Sequence, residues 1–366
     1  MLTETVVRVT RECGFELAGV APADPAALTE DFAHYRAWID GGMAGEMRYL
    51  TDRRAEIRRD VRNLLPNARS VVCVGKRYNT AGTPPSSLRI SRYARGRDYH
   101  HVLREGLERV VERLQAIERF EYKIAVDTAP LLERTLARAA GLGWIGKNTC
   151  LINEPEGSWF FLGEIVTSLE LASGTPPPDR CGTCTRCIDA CPTGALFHDH
   201  DRDRWTLDSR RCISYLTIEL HGAIPEELRP GVGDHVFGCD ICQEVCPWNA
   251  DAAVTDEPAF LREADRELPH SAEDFKGRFG DTPVSRARYI GFLRNAAVAM
   301  GNRGAAGDAG TLAELAEHAD PMVREHAAWG LRRALGRLAD QRIATGATVD
   351  PVPPFSLSGS TTKANS

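Results

Sequence analysis

Eight cysteines between positions 181 and 246 constrain this chain more than any other feature. They read Cys181-Gly-Thr-Cys184-Thr-Arg-Cys187-Ile-Asp-Ala-Cys191-Pro192, then a lone Cys212, then Cys239-Asp-Ile-Cys242-Gln-Glu-Val-Cys246-Pro247. The first block has the C-x2-C-x2-C-x3-C-P spacing of chains that hold two 4Fe-4S clusters, in which the fourth cysteine serves the other cluster. The second block is the same run with its leading cysteine moved upstream to position 212. The spacing therefore assigns Cys181, Cys184, Cys187 and Cys246 to one cluster, and Cys191, Cys212, Cys239 and Cys242 to the other. Three close thiolates wrap one face of a cuboidal cluster, and a distant fourth closes it.

Structural zinc also uses paired C-x2-C ligands. It does not account for three cysteines in one tight run or for the two Cys-Pro steps. Disulfides need an oxidising compartment. The first residues mix Glu4, Arg8, Arg11 and Glu12 with valines, which is not the pattern of an export signal. No apolar run approaches the roughly 18 residues that mark a membrane span. A cytoplasmic protein is expected, with no membrane partner. The net charge of −6 argues against an acidic partner, although local patches matter more than the sum. Cys13, Cys73 and Cys150 lie among apolar neighbours and read as buried structural thiols.

With 366 residues the chain has room for two or three domains. Val6, Val9 and Cys13 fall at helical spacing, and Phe15–Val20 reads as a strand. Phe32–Leu50 is helical with a break at Gly41-Gly42. Ser70–Gly75 is a buried strand, followed by a loop from Lys76 to Ser87. Val102–Phe120 is a helix whose inner face carries Leu103, Leu107, Val110, Val111 and Leu114. Tyr122–Val126 is a strand, Ala129–Ala140 a helix and Phe160–Leu171 a further strand. Such alternation predicts an α/β or α+β sandwich. Tyr289–Met300 is an apolar helix. Thr311–Glu317 and Met322–Leu338 form a helical hairpin closed by Asp320-Pro321, with a HEAT-like pattern in which Pro321 starts a helix and Arg324 caps its outer face.

Other candidate sites are less specific. Asp127 follows a strand, where open sheets place ligands, but an N-cap of the helix after Pro130 is the reading its position favours. The glycines of Gly141-Leu-Gly-Trp-Ile-Gly-Lys-Asn148 could cradle a phosphate with Lys147 as donor. Trp144 reads as core. Arg89, Arg92, Arg95, Arg97 and Arg104 interleave with Tyr93, Tyr99, His100 and His101, a mixture suited to phosphate contact and base stacking. Arg53, Arg54, Arg58, Arg59 and Arg62 form a second basic run, for which a solvated helix face is the plainer account. Arg278, Arg286, Arg288, Arg294 and Arg303 give the C-terminal part a basic bias.

Four stretches occur in a telling order: Ser91-Arg-Tyr-Ala-Arg-Gly-Arg-Asp-Tyr-His100, Val126-Asp-Thr-Ala-Pro-Leu-Leu-Glu-Arg134, Gly141–Asn148 and Arg211-Cys-Ile-Ser-Tyr-Leu-Thr-Ile-Glu219. With the cysteine block ending in Cys246-Pro-Trp-Asn249, the chain closely resembles the epoxyqueuosine reductase family from about residue 10 to residue 335. The resemblance implies an α+β, multi-domain chain: a cobalamin-binding α/β sandwich over 1–175, related to reductive dehalogenases; a ferredoxin-like domain with two 4Fe-4S clusters over 176–255; a HEAT-like helical domain for tRNA over 256–345; and a disordered tail over 346–366. It implies reduction of epoxyqueuosine to queuosine at the wobble position of a tRNA anticodon stem-loop, by a monomer fed from a low-potential electron donor protein. Electrons would pass through the clusters to cobalamin. Asp127 matches the family's proton donor, as a carboxylic acid held neutral by burial. Arg58, Leu151, Leu162, Ser214, Cys239 and Asp240 match positions that contact cobalamin, as does Asp127. The Asp-x-His-x-x-Gly cobalamin motif is absent; Asp98-Tyr-His100-His-Val-Leu103 lacks its glycine, so the cofactor would bind without a histidine below the cobalt. Ser91 stands where some relatives carry cysteine. Two other functions fit parts of the chain: a corrinoid-dependent reductase of a small molecule, and a ferredoxin-like electron carrier.

Overall fold

A computed structural model describes residues 2–80, 89–261, 268–305 and 307–345. The tail 346–366 and most of the 76–87 loop lie outside the described residues. A four-stranded sheet forms from β1 (Leu17–Pro22), β2 (Ser70–Arg77), β3 (Tyr122–Ala125) and β4 (Phe160–Thr167), in the order β1-β2-β4-β3. All three pairings are antiparallel. The strand–helix alternation thus gives a mixed α+β fold rather than parallel crossovers. Val71, Val72, Cys73 and Val74 of β2 are all buried, as expected of a central strand covered on both faces.

Helices supply that cover. On one face lie α1 (Leu2–Glu12) and α2 (Tyr99–Gln115), which bury Val6, Val9, Leu103, Leu107 and Val110 against Val72, Val74, Phe161 and Ile165. The opposite face packs on α3 (Glu133–Ala139), with Leu136 and Ala137 against Val71, Cys73, Ala125 and Val166. Asp98 caps α2, its carboxylate accepting the backbone N–H of His100 at 3.0 Å. β4 stops at Thr167, short of the expected Leu171. There Thr167 Oγ1 accepts from the Leu169 N–H and Ser70 Oγ accepts from the Leu171 N–H, so side chains replace the ladder.

Helix α3 begins at Glu133, not near Ala129. Its N-cap position is Leu132, which makes no side-chain cap. Asp127 is therefore not a helix cap. It sits at φ +50°, in the left-handed region that non-glycine residues rarely occupy, and its side chain is engaged elsewhere.

The cysteine-rich region contains the short helices α4 (Arg186–Asp189) and α5 (Ile213–Ile218), followed by α6 (Ile241–Glu244). A hairpin, Leu196–Asp199 with Arg204–Leu207, fills the gap between Cys191 and Cys212. The strand His235–Phe237 pairs in parallel with Arg89–Ile90, tying this region to the first one. The C-terminal part is helical: α7 (Arg288–Arg303), α8 (Asp308–Leu315) and α9 (Pro321–Thr345). Pro321 starts α9, as expected; Asp320 accepts the Met322 N–H at 2.9 Å, and Arg324 donates to the carbonyls of His318 and Ala319. Helices α7 and α9 cross so closely that a Cβ on Gly301 would lie 2.4 Å from Gly330 Cα. Their core takes in Ile90, Ala94, Val236 and Phe237. Among the described residues no helix is long and apolar enough to cross a membrane.

Candidate active site

Asp127 lies where β3 ends, and two separate elements send three side chains to its carboxylate. His100, in the first turn of α2, places Nε2 3.0 Å from Asp127 Oδ2 and Nδ1 2.7 Å from Asp98 Oδ1. Both imidazole nitrogens are therefore committed. Tyr99 also lies beside Asp127, while its ring stacks between His100, at 4.2 Å, and Phe161, at 4.3 Å. Arg286 arrives from the turn before α7, with Nη1 3.6 Å from Asp127 and Nη2 2.5 Å from Glu219, the residue that follows α5.

This arrangement sets the protonation of the site. Burial acts to raise the Asp127 pKa, but the His100 hydrogen bond, the Arg286 charge and the Tyr99 hydroxyl bring it below its ordinary value. Burial acts to lower His100, yet Asp127 and Asp98 together push it up to about 9. At neutral pH the resting pair is an imidazolium and a carboxylate. In this arrangement a transferable proton sits on His100 rather than on Asp127. The Asp127 side chain remains 38% exposed, open to a reactant.

The neighbouring residues link this carboxylate to the cysteine region. Tyr49 is pushed up to about 12 by burial and by the charges of Glu219 and Asp127, with Arg286 opposing. Its carbonyl accepts from Arg58 at 3.3 Å, and Arg58, 5% exposed, also bonds the Arg54 carbonyl and lies 5.7 Å from the Tyr35 ring. Tyr93 feels Arg286, Asp127, Glu219 and Asp240 together. Asp240 is buried. It accepts from Ser91 Oγ and, at 2.9 Å, from the Arg92 N–H, which gives Ser91 a definite structural role. Gly238, at φ +69°, brings the two segments together, since a Cβ there would lie 2.6 Å from that of Ser91. Ser214 is on α5, part-exposed; Leu151 is buried and Leu162 packs against the same core.

The eight cysteines fall into two neighbourhoods. Cys181, Cys184, Cys187 and Cys246 line one cavity of about 260 Å³ together with Lys147 and Trp248. Burial pushes the Cys187 thiol up to about 11, and Cys181, Cys246 and Cys184 add to it. Cys239 is raised by burial, with Cys212 and Cys191 contributing; Cys242 feels Cys239 and Cys212. Lys147 does not face an open phosphate cradle. Its Nζ donates to the carbonyls of Gly182 at 2.7 Å and Cys184 at 3.0 Å, clamping the first cysteine loop. Trp144 is core, as expected. Cys73 is a fully buried thiol, whereas Cys150 lies next to the Cys242 thiol and the two act on each other's ionisation. Nothing in the spacing around Cys150 distinguished it from a core thiol.

Comparison with known proteins bears directly on this geometry. A family model described as a 4Fe-4S double cluster binding domain matches residues 180–249, which contain all eight cysteines. A second, described as Epoxyqueuosine reductase QueG, matches residues 58–128. The epoxyqueuosine reductase of Xanthomonas campestris is 42% identical over 349 residues, covering 90% of this chain and 96% of that protein. The chain belongs to the epoxyqueuosine reductase family. The Pseudomonas aeruginosa epoxyqueuosine reductase is 40% identical, over 91% of this chain and 94% of its own length. A crystal structure of an epoxyqueuosine reductase with an epoxyqueuosine-modified tRNA-Tyr stem loop superposes with a TM-score of 0.79 at 29% identity, covering 95% of each chain. The Bacillus subtilis epoxyqueuosine reductase, solved with its catalytic aspartate loop swung out of the active site, gives 0.77 at 28% identity over the same shares.

Most arginines read as nucleic-acid contacts are occupied inside the protein. Arg89 pairs with Glu244, Arg92 bonds Asn79 and covers the Trp159 ring, Arg95 donates to the Ile90 carbonyl and Arg97 pairs with Glu105. Arg54 and Arg62 pair with Asp52 and Asp60. In the C-terminal part Arg278 and Arg303 pair with Asp274 and Asp308, and Arg294 is buried on the carbonyls of Leu216 and Leu220. Arg53, Arg59, Arg104 and Arg288 are exposed. Sequence patterning located His100 without its role, and the reach of Arg286 is a tertiary fact with no local signature.

Proposed function

We propose that this chain reduces epoxyqueuosine to queuosine at the wobble position of tRNA anticodons, with Asp127 delivering a proton to the epoxide oxygen. The observation that carries this reading is the Asp98–His100–Asp127 chain opening beside the double-cluster region. Opening the epoxide leaves an alkoxide, and the imidazolium–carboxylate pair offers a proton to it at neutral pH. Arg286 and Tyr99 hold the carboxylate in place between deliveries. A domain division at 1–175, 176–255 and a HEAT-like 256–345 fits this arrangement, as does a monomer in the cytoplasm.

The cysteine spacing supports the two clusters the family implies, and the cobalamin contacts are assigned from the resemblance. Cys181, Cys184, Cys187 and Cys246 would hold one 4Fe-4S cluster, and Cys191, Cys212, Cys239 and Cys242 the other. Cobalamin would meet Leu151 and Leu162 as apolar contacts, with Ser214, Arg58 and the Cys239-Asp240 step at its polar rim. His100 has no nitrogen to spare for cobalt, which supports a corrin held without a histidine below it. When bound, these groups supply strongly reducing electrons, since cluster potentials reach about −700 mV in suitable surroundings. A low-potential electron donor protein would refill them.

Asp127→Asn tests the assignment. Iron and cobalamin content should match the native protein while turnover on epoxyqueuosine-containing tRNA falls by about 10²-fold or more. Unchanged turnover would remove Asp127 from the acid role.

A further inference from the structure

Reduction of an epoxide to an alkene breaks both carbon–oxygen bonds, forms a carbon–carbon double bond, takes up two electrons and releases the oxygen with two protons as water. The His100–Asp127 pair stores one transferable proton. Directly behind it lie two carboxyl groups that nothing above has used.

Glu133, the first residue of α3, lies close enough to Asp127 for that carboxylate's charge to act on it. Its Oε1 is buried and finds no hydrogen-bond partner among the described residues. Glu164 lies on β4 opposite Ala125, two residues before Asp127. It is 0% exposed, and neither of its carboxyl oxygens has a partner among the described residues. A buried, unpartnered carboxylate costs several kcal/mol, so such a group keeps its proton.

We propose that Glu133 and Glu164 form a buried proton store behind the catalytic aspartate, returning a proton to Asp127 so that the oxygen can leave as water. The step balances: Glu133 gives a proton to the Asp127 carboxylate, Glu164 restores Glu133, and solvent refills the pair between turnovers. The electrons are those the reduction already requires. Glu133 and Glu164 are positioning residues in this scheme, acting through Asp127. Burial and the Asp127 charge push Glu133 up to about 8, opposed by Arg134 and His100. Burial, Glu133 and Asp127 raise Glu164. The Cys73 thiol, paired with Glu164 on the neighbouring strand, is a further titratable neighbour among the described residues and is itself raised by burial.

This inference rests on the proposed reduction, so its test has one arm independent of turnover. Infrared spectra of the resting protein at neutral pH should show the carbonyl-stretch band of protonated carboxyl groups, reduced in Glu133→Gln and reduced again in Glu164→Gln. Glutamine at 133 keeps the size and polarity of the side chain beside Asp127 while removing its acidic proton. With native protein turning over epoxyqueuosine tRNA, Glu133→Gln should lower kcat by about 10-fold or more, leave KM within about 2-fold, and move the alkaline limb from about pH 8 toward the His100 range, about 9. Absence of the carboxyl bands in a folded native protein overturns the proton store. So does a Glu133→Gln variant with native kcat, or one whose kcat falls while its pH profile stays in place. If Glu164→Gln fails to fold, Glu133→Gln alone decides. Native protein that shows the bands but leaves epoxyqueuosine unreduced contradicts the reaction, not the store.

Discussion

The guanidinium of Arg286 stands 3.6 Å from the carboxylate of Asp127 while its other arm grips Glu219. One side chain from the start of the C-terminal helices thus touches the proposed acid at the edge of the sheet and the end of the helix that carries Ser214. Docking of tRNA on those helices would be felt directly at the reacting carboxylate.

Replacing Arg286 with Met should therefore act on catalysis more than on cofactor content. Removing the positive charge raises Asp127 toward its ordinary range and frees Glu219. Turnover should fall by about 10-fold or more, with iron content unchanged. A native rate for Arg286→Met would reduce the contact to a structural one.

The pH dependence of stability follows from His100. Its folded value, about 9, lies above the ordinary 6.5. The stabilisation from its two carboxylate partners is complete below about pH 6.5 and is lost as pH rises through about 9. Asp127 shifts the other way: its contribution is present above its ordinary 3.8 and is lost as pH falls through its lower folded value. Chemical denaturation should show a loss on the order of 2 kcal/mol across the alkaline window. His100→Asn should abolish that loss; an unchanged alkaline slope would place the ionisation elsewhere.

Lys147 should matter to iron rather than to RNA. Its two hydrogen bonds hold the loop carrying Cys181 and Cys184, and hydrogen bonds to charged donors contribute about 1.5–3 kcal/mol each. Lys147→Met should loosen the first cluster and lower iron toward about half the native content, while the second cluster keeps its spectrum. Full iron with weakened tRNA binding would restore the phosphate-cradle reading.

How much of this was legible without coordinates varies with the range of the interactions. Three close cysteines wrap one face of a cluster, so the repeated spacing pointed to a double 4Fe-4S cluster domain, which the family match over residues 180–249 bears out. The inner face of α2 was equally plain, because Leu103, Leu107 and Val110 repeat at the helical period. Asp127 was ambiguous because an N-cap and an active-site acid use the same residue after a strand; the later start of α3 removes the cap reading. The arginines misled for a different reason. Their partners, such as Glu244 for Arg89 and the α5 carbonyls for Arg294, come from elsewhere in the chain, and charge runs do not reveal such pairing.

The exposed arginines give the tRNA reading its own check. Arg288 follows Arg286 by two residues and is exposed. Arg288→Ala should weaken binding of an anticodon stem-loop similarly across sequences and reduce the salt slope by about one. Affinity independent of salt would contradict docking through the RNA backbone.

The most direct test is mass analysis of nucleosides from epoxyqueuosine-containing tRNA after anaerobic incubation with the reconstituted protein, cobalamin and a chemical reductant. The account predicts that epoxyqueuosine disappears and queuosine, lighter by one oxygen atom, appears in equal amount. Unchanged epoxyqueuosine from protein carrying both clusters and cobalamin would contradict it.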